Sequence, residues 1–212
     1  MFITFEGPEG SGKTTQVRRL GALLRERGRD CVVTKEPGGT PLADRIRAIL
    51  LDPSETKMDA LTELLLYAAS RRQHVVEVIR PALSRGAIVL CDRFTDATLA
   101  YQGFGRLLDL DRLRTLNDWA TERLHPDLTI LFDIEEEVGL RRAHSRNEAS
   151  ANNEGRFEAE DLRFHRRVRE GYLSLAQSEP RRFALIDGTG TVDEVFERML
   201  ATLRARLSEL LA

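Results

Sequence analysis

Residues Gly7-Pro-Glu-Gly-Ser-Gly-Lys-Thr14 constrain the fold of this chain more than any other stretch. Before them Phe2-Ile-Thr-Phe5 is a short block of β-formers, and after them Val17, Leu20 and Leu24 recur at helical spacing. Gly7, Gly12, Lys13 and Thr14 fit G-x-x-x-x-G-K-[ST], the phosphate-binding loop between a strand and a helix. Glycines let the backbone of 7–15 curl until successive N–H groups point at phosphate oxygens, helped by the positive end of the following helix. In such a loop Lys13 reaches the β- and γ-phosphates and the Thr14 hydroxyl ligates Mg²⁺. A glycine-rich surface turn needs neither the strand nor the helix. The stretch reads as a nucleoside-triphosphate site.

At 212 residues the chain is one domain, 1–212, with room for a modest insertion. Hydrophobic residues are 42% and charged residues 31%, a globular balance. A formal net charge of −2 gives no bulk electrostatic case for nucleic-acid or membrane binding. Cys31 and Cys91 sit in apolar runs and read as buried, reduced thiols. No segment resembles a signal peptide or approaches the ~20 apolar residues of a membrane span. A cytoplasmic protein is expected.

The first helix should stop at Gly28, and Cys31–Lys35 reads as a second strand ending in the turn Glu36-Pro-Gly-Gly-Thr40. A long helix is expected over 58–83, with Leu61, Leu64, Leu65, Ala68, Val76, Ile79 and Leu83 as its apolar stripe. Ala87–Cys91 is a third strand leading into Asp92-Arg93. Helix-compatible residues follow near 97–102, then a helix near 111–124 in which Trp119 reads as core. Asp127–Phe132 is a fourth strand, 138–146 a short helix, and 147–155 a polar loop without periodicity. Phe164, Val168 and Tyr172 mark a helix, Phe183–Ile186 a fifth strand, and Val192 to Leu207 a closing helix. Apolar strands alternating with helices predict a three-layer α/β fold, a five-stranded parallel sheet with helices on both faces.

Ligands of such sheets gather at the carboxyl ends of the strands. Glu36, Asp92 and Arg93 fall there. Asp92 is a candidate to hold Mg²⁺, directly or through water, and Arg93 to clamp a phosphoryl group; an Asp–Arg surface pair is the plainer alternative. Asp133 reads equally as a helix cap and is left out of the site. Tyr67 and Arg71 share a helix face and suit stacking on a base and bonding its edge. Alone, the pair equally describes a half-buried tyrosine and a solvated arginine. Arg141, Arg142, Arg146 and Arg156 bracket the aperiodic loop, either as a solvated face or as a lid delivering charge to a transferring phosphate. His74, His125, His144 and His165 lack metal-ligand spacing and read as structural or surface residues.

Together these segments resemble the thymidylate kinase family, bacterial type, over essentially the whole chain. The matching stretches are 5–15, Thr-Lys-Glu-Pro-Gly-Gly-Thr at 34–40, 46–51, Tyr-Ala-Ala-Ser-Arg-Arg-Gln-His at 67–74, Asp-Arg-Phe at 92–94, Ala-Tyr-Gln-Gly at 100–103, 126–129 and Arg-Phe-Glu at 156–158. The resemblance implies a kinase that uses MgATP to phosphorylate dTMP, typically a homodimer. It implies a dTMP site of Glu9, Glu36, Arg47, Tyr67, Arg71, Arg93, Thr98, Tyr101 and Gln102, within an acceptor region of about 36–72. ATP would be held by Gly7, Pro8, Glu9, Gly10, Ser11, Gly12, Lys13, Thr14, Thr15 and Arg142. Lys13, Arg93 and a lid arginine, Arg146, would be catalytic, the lid being 141–157, with Thr14 and Asp92 at the metal. Lys35 replaces the usual arginine before Glu36, and Ala97 stands where a small polar residue is common.

The rival readings are another nucleotide or deoxynucleoside kinase and a nucleotide switch. A nucleoside kinase needs a carboxylate base to activate a neutral hydroxyl, and has no use for a second phosphate clamp. A switch needs no acceptor pocket.

Overall fold

The structure is a computed structural model. It describes residues 1–55, 57–149 and 155–210, with the side chains of 146–149 outside that description. Strands β1 (Phe2–Glu6), β2 (Cys31–Lys35), β3 (Ile88–Asp92), β4 (Leu128–Asp133) and β5 (Phe183–Asp187) form one parallel sheet in the order β2-β3-β1-β4-β5. The helices are α1 (Lys13–Glu26), α2 (Pro41–Leu51), α3 (Ala60–His74), α4 (Arg80–Ser84), α5 (Thr95–Thr98), α6 (Leu110–Thr121), α7 (Glu136–Ala149), α8 (Leu162–Ser178) and α9 (Val192–Arg206).

Strand residues alternate between the two faces, so both are packed. Ile3, Phe5, Ile130 and Phe132 meet Val17, Leu20 and Leu24 of α1 and Met199 and Leu203 of α9. On the other face Phe2, Val89 and Cys91 meet Val75 and Ile79, while Leu131 meets Phe164, Val168 and Leu175 of α8. Each such side chain contributes roughly 1.5–3 kcal/mol when fully buried. The three-layer architecture is the expected one.

The register pairs Phe5 with Asp92, Lys35 with Asp92, and Glu6 with Leu131. It therefore brings the loop after β1 and the Asp92-Arg93 step to the same end of the sheet. This is the carboxyl end, beside the central strand.

Several expected elements differ. The long helix runs as α3, a five-residue π-helical segment Val75–Ile79, and α4. Of the expected stripe, Leu64, Ala68 and Ile79 are buried, but Leu61 and Leu65 of α3 and Val76 of the π-helical segment are exposed, because α3 also turns Glu63, Ser70, Arg71 and His74 inward. Helix α2 was not foreseen, although Thr40 caps Ala43 N and Pro41 opens the first turn. Trp119 is 84% exposed on α6, not core. That helix buries Leu113, Asn117 and Ala120, and Trp119 falls off their stripe. Helix α7 continues through Ala149, so 147–149 of the expected loop are helical, and 150–154 lie outside the described residues. Both cysteines are buried and unpaired by disulfide, and Gly28 ends α1 at φ 73°.

Candidate active site

Gly12 sits at φ 85° as the N-cap of α1, a left-handed position that suits glycine, and no side chain caps the start of the helix there. Lys13 Nζ donates to Pro8 O at 3.1 Å, curling its side chain back across the loop. Burial, then the charge of Arg93, lowers the Lys13 pKa to about 8, with Glu9, Asp92 and Glu6 pulling it back up. The Thr14 hydroxyl donates to the Asp92 carboxylate, which places two hard oxygen donors side by side at the loop. Gly10, at φ 68°, packs backbone to backbone on Gly139 of α7. A Cβ on Gly10 would stand 1.9 Å from Gly139 O, so α7 rests directly on the phosphate loop.

Arg93 follows β3 at φ 69°, a costly value for a residue with a side chain, and its N–H donates to Phe5 O at 2.9 Å. Its guanidinium donates to Glu9 Oε1 at 2.6 Å, to Tyr101 Oη at 2.9 Å and to Tyr172 Oη at 3.0 Å. Tyr172 in turn donates to Glu6 Oε2 at 2.8 Å, and Phe94 N donates to Glu6 Oε1 at 2.7 Å. Burial and the nearby Asp96 charge raise the Glu6 pKa to about 8, against Arg93 and these hydrogen bonds.

Arg71 is 2% exposed and bonded in four directions. It reaches Glu36 Oε2 at 2.7 Å, Thr98 Oγ1 at 2.9 Å, Asn117 Oδ1 at 2.6 Å and Phe94 O at 3.1 Å. His74 holds the other Glu36 oxygen at 3.0 Å. Burial alone would raise the Glu36 pKa, yet Arg71 and His74 bring it below the usual carboxylate value. A guanidinium has five N–H donors, so one of Arg71's remains for a ligand. Tyr67 tilts against Phe157 with ring centroids 6.4 Å apart. Gln102 Nε2 donates to Glu63 Oε1 at 2.8 Å. Arg47 donates to Pro37 O at 3.0 Å and Arg142 to Gly188 O at 3.2 Å.

One cavity of about 790 Å³ runs through all of this. It is lined by residues 9–15, Glu36, Arg47, Tyr67, Arg71, Asp92, Arg93, Thr98, Tyr101, Gln102 and Arg142, together with Lys35 and Ala97. Gly7 and Pro8 shape the loop without lining it, and the Arg146 side chain lies outside the described residues. The Asp133 carboxylate takes Arg169 through two hydrogen bonds, at 2.8 and 3.0 Å.

Sequence reasoning missed Glu6, Glu63, Asn117 and Tyr172, which hold the lining residues in place. A signal existed for two of them. Asn117 interrupts the apolar stripe of Leu113 and Ala120, and Glu63 lies at helical spacing from Tyr67, Ser70, Arg71 and His74.

The thymidylate kinase family model matches residues 5–199. The chain is 62% identical over 193 residues to a thymidylate kinase of Geobacter sulfurreducens, covering 91% of each. The chain belongs to the thymidylate kinase family. It is 56% identical over 209 residues to another member, from Geotalea uraniireducens, covering 98% of each. The crystal structure of the thymidylate kinase of Ehrlichia chaffeensis matches with a TM-score of 0.78 at 35% identity, over 96% of this chain and 98% of that one. As a member of this family the chain is an enzyme, a nucleoside monophosphate kinase, and the five-stranded parallel sheet is the family's fold.

Proposed function

We propose that the chain transfers the γ-phosphoryl group of ATP to the 5′-phosphate of dTMP, giving dTDP and ADP for dTTP synthesis. One observation carries the assignment of the site: a single cavity has the phosphate loop in one wall and Tyr67, Arg71 and Gln102 in another. Arg93, bonded to Glu9 of the loop and to Tyr101, joins the two.

The acceptor oxygen is already an anion, so no general base is needed. Catalysis is positioning and charge stabilisation by Lys13, Arg93 and the lid arginine Arg146, one turn beyond Arg142 in α7. Tyr67 stacks on thymine, and Arg71 and Gln102 meet its edge. Arg47 and Arg93 hold the acceptor phosphate. Thr98, Tyr101 and Glu9 bound the sugar, and Glu36 holds Arg71. Residues 7–15 and Arg142 take ATP. The adjoining Thr14 hydroxyl and Asp92 carboxylate are the hard oxygen donors that Mg²⁺ prefers, and they would hold it directly or through water. A Mg²⁺ ion held there would supply charge neutralisation to the phosphates. The acceptor region 36–72 and the lid 141–157 are parts of one domain.

The exposed Leu61 and Leu65 of α3 and Val76 of the π-helical segment, with Trp119 on the adjacent α6, support a homodimer. Among the described residues no helix is long and apolar enough to cross a membrane. The net charge of −2 gives no bulk electrostatic case for a nucleic-acid partner, and the need for ATP and dTMP supports a cytoplasmic location.

The test is ADP release with MgATP against dTMP, dUMP, dCMP, dGMP, AMP and thymidine. Fast turnover on dTMP, weaker on dUMP and negligible on thymidine is expected. Turnover on thymidine would sink the acceptor-phosphate clamp.

A further inference from the structure

Glu63 lies on α3, is 1% exposed, and belongs to none of the groups assigned above. Four N–H donors converge on it. Gln102 Nε2 and Arg106 Nε approach Oε1 at 2.8 and 3.4 Å; Arg106 Nη2 and Arg156 Nη2 approach Oε2 at 3.2 and 2.6 Å. Arg156 also donates to Leu50 O, so it ties the end of the lid to α2 and α3 at once. With two guanidinium groups against it, the carboxylate is fixed in place and only accepts hydrogen bonds.

That one-sidedness matters for Gln102. Its amide carries a donor branch and an acceptor branch that are nearly equal in shape, and nothing in the shape of a pocket separates them. Turning the oxygen toward Glu63 would set two acceptors face to face with no proton between them, so the nitrogen faces Glu63. The amide oxygen is left on the other branch. It accepts no hydrogen bond among the described residues, and Gln102 lines the cavity.

We infer that Glu63 is a positioning residue for base selectivity: it makes Gln102 present an acceptor, which suits the N3–H of a pyrimidine-2,4-dione and opposes the unprotonated N3 of a 4-aminopyrimidine. This rests on the reading that Gln102 meets the base edge. Arg71, held on the other side by Glu36, Thr98 and Asn117, contributes a donor for the 4-oxo group. Arg71 can only donate and is held in place by Glu36, whereas the Gln102 amide could turn and has its polarity set by Glu63. Glu63 touches no substrate atom; it acts through Gln102.

The experiment measures kcat/KM of wild-type, Glu63→Gln and Arg156→Gln enzymes on dTMP, dUMP and dCMP with MgATP. A glutamine at 63 can donate as well as accept, so it permits the Gln102 amide to turn. The dTMP/dCMP ratio is expected to fall at least about tenfold in Glu63→Gln, the factor that about 1.4 kcal/mol represents. The dTMP/dUMP ratio, set by a methyl group, is expected to stay within about twofold. Arg156→Gln leaves the carboxylate and Arg106 in place, so it should lose activity without losing the dTMP/dCMP ratio. An unchanged ratio in folded Glu63→Gln overturns the role of Glu63, as does an equal loss in both variants, which would signify general loosening. Absence of dTMP turnover by the wild type would overturn the pocket reading itself.

If Glu63→Gln does not fold, the wild type decides. The Gln102 side-chain amide should show a proton protected from solvent exchange in ¹⁵N spectra of the ligand-free enzyme, held by Glu63. Fast exchange of both amide protons would show that Glu63 does not hold the nitrogen and end the proposal.

Discussion

Arg93 and Glu9, 84 residues apart in the chain, meet at 2.6 Å with 14% and 18% of their side chains exposed. The pair joins the step after β3 to the phosphate loop, and it sets a carboxylate beside the guanidinium proposed to take the acceptor phosphate. A dianionic phosphate arriving there competes with Glu9 for the same N–H groups.

Replacing Glu9 by glutamine removes the like charge and keeps the shape. The KM for dTMP should fall a few-fold. Arg93 would also lose its strongest orienting partner, so kcat should fall about tenfold, the loss expected when a group made for the transition state is less well placed. Steady-state kinetics over a dTMP series measures both. A raised KM at unchanged kcat would mean that the contact of Glu9 with the sugar outweighs its competition for Arg93.

Lys13 makes ATP binding depend on pH in one direction. Burial brings its pKa from 10.5 to about 8 in the protein without ligand, so above pH 8 the amine is neutral. A triphosphate favours the ammonium form, and binding above pH 8 must therefore take up a proton. ATP affinity should be flat from pH 7 to 8, then fall up to about tenfold per pH unit. Calorimetry at pH 9 in buffers of different ionisation enthalpy should show proton uptake. A constant affinity to pH 9.5 without uptake would remove Lys13 from this role.

The parts of the molecule legible in the sequence are those governed by local rules. The loop 7–15 has a fixed spacing, Gly28 ends a helix, and the strands are short apolar runs, so the sheet and the loop between β1 and α1 could be placed. The polarity of α3 could not. Its buried side carries Glu63, Ser70, Arg71 and His74 beside Leu64 and Ala68, with Tyr67 half-buried, while Leu61 and Leu65 face outward, unlike the apolar inner stripe of an ordinary surface helix. The departure has a physical source: the inner side of α3 borders a ligand cavity and is satisfied by hydrogen bonds, which periodicity does not register. For the same reason Trp119 read as core and Asn117 went unnoticed. Glu6 and Tyr172, 166 residues apart, meet only through the packing of α8 on the sheet.

Glu6 should make stability fall as pH rises. Its pKa is near 8 in the folded protein and 4.5 as the reference, so folding retains a proton that the unfolded chain releases above pH 4.5. The stabilisation is full below pH 4.5 and is lost progressively as pH approaches and passes 8. Glu6→Gln cannot ionise, and its amide can still accept from Phe94 N and bond Tyr172. Relative to wild type it should gain stability at pH 8, on the order of a few kcal/mol, and lose that gain near pH 5. Denaturant titrations at the two pH values give the difference. A variant whose stability parallels the wild type at both would show that Glu6 is ionised when buried.

The contact between α7 and the phosphate loop admits no side chain. A Cβ on Gly139 would stand 2.3 Å from Glu9 O, a backbone atom that cannot rotate away. In Gly139→Ala either α7 or the loop must therefore move by roughly an ångström, at about 1–3 kcal/mol, the usual cost of overpacking. Because α7 carries Arg142 at the cavity and leads into the lid, the displacement should raise the KM for ATP more than that for dTMP and lower kcat. Thermal unfolding together with the two KM values measures the strain and its direction. A variant that melts earlier yet keeps both KM values would mean that α7 yields without moving the loop, and that the glycine contact serves only packing.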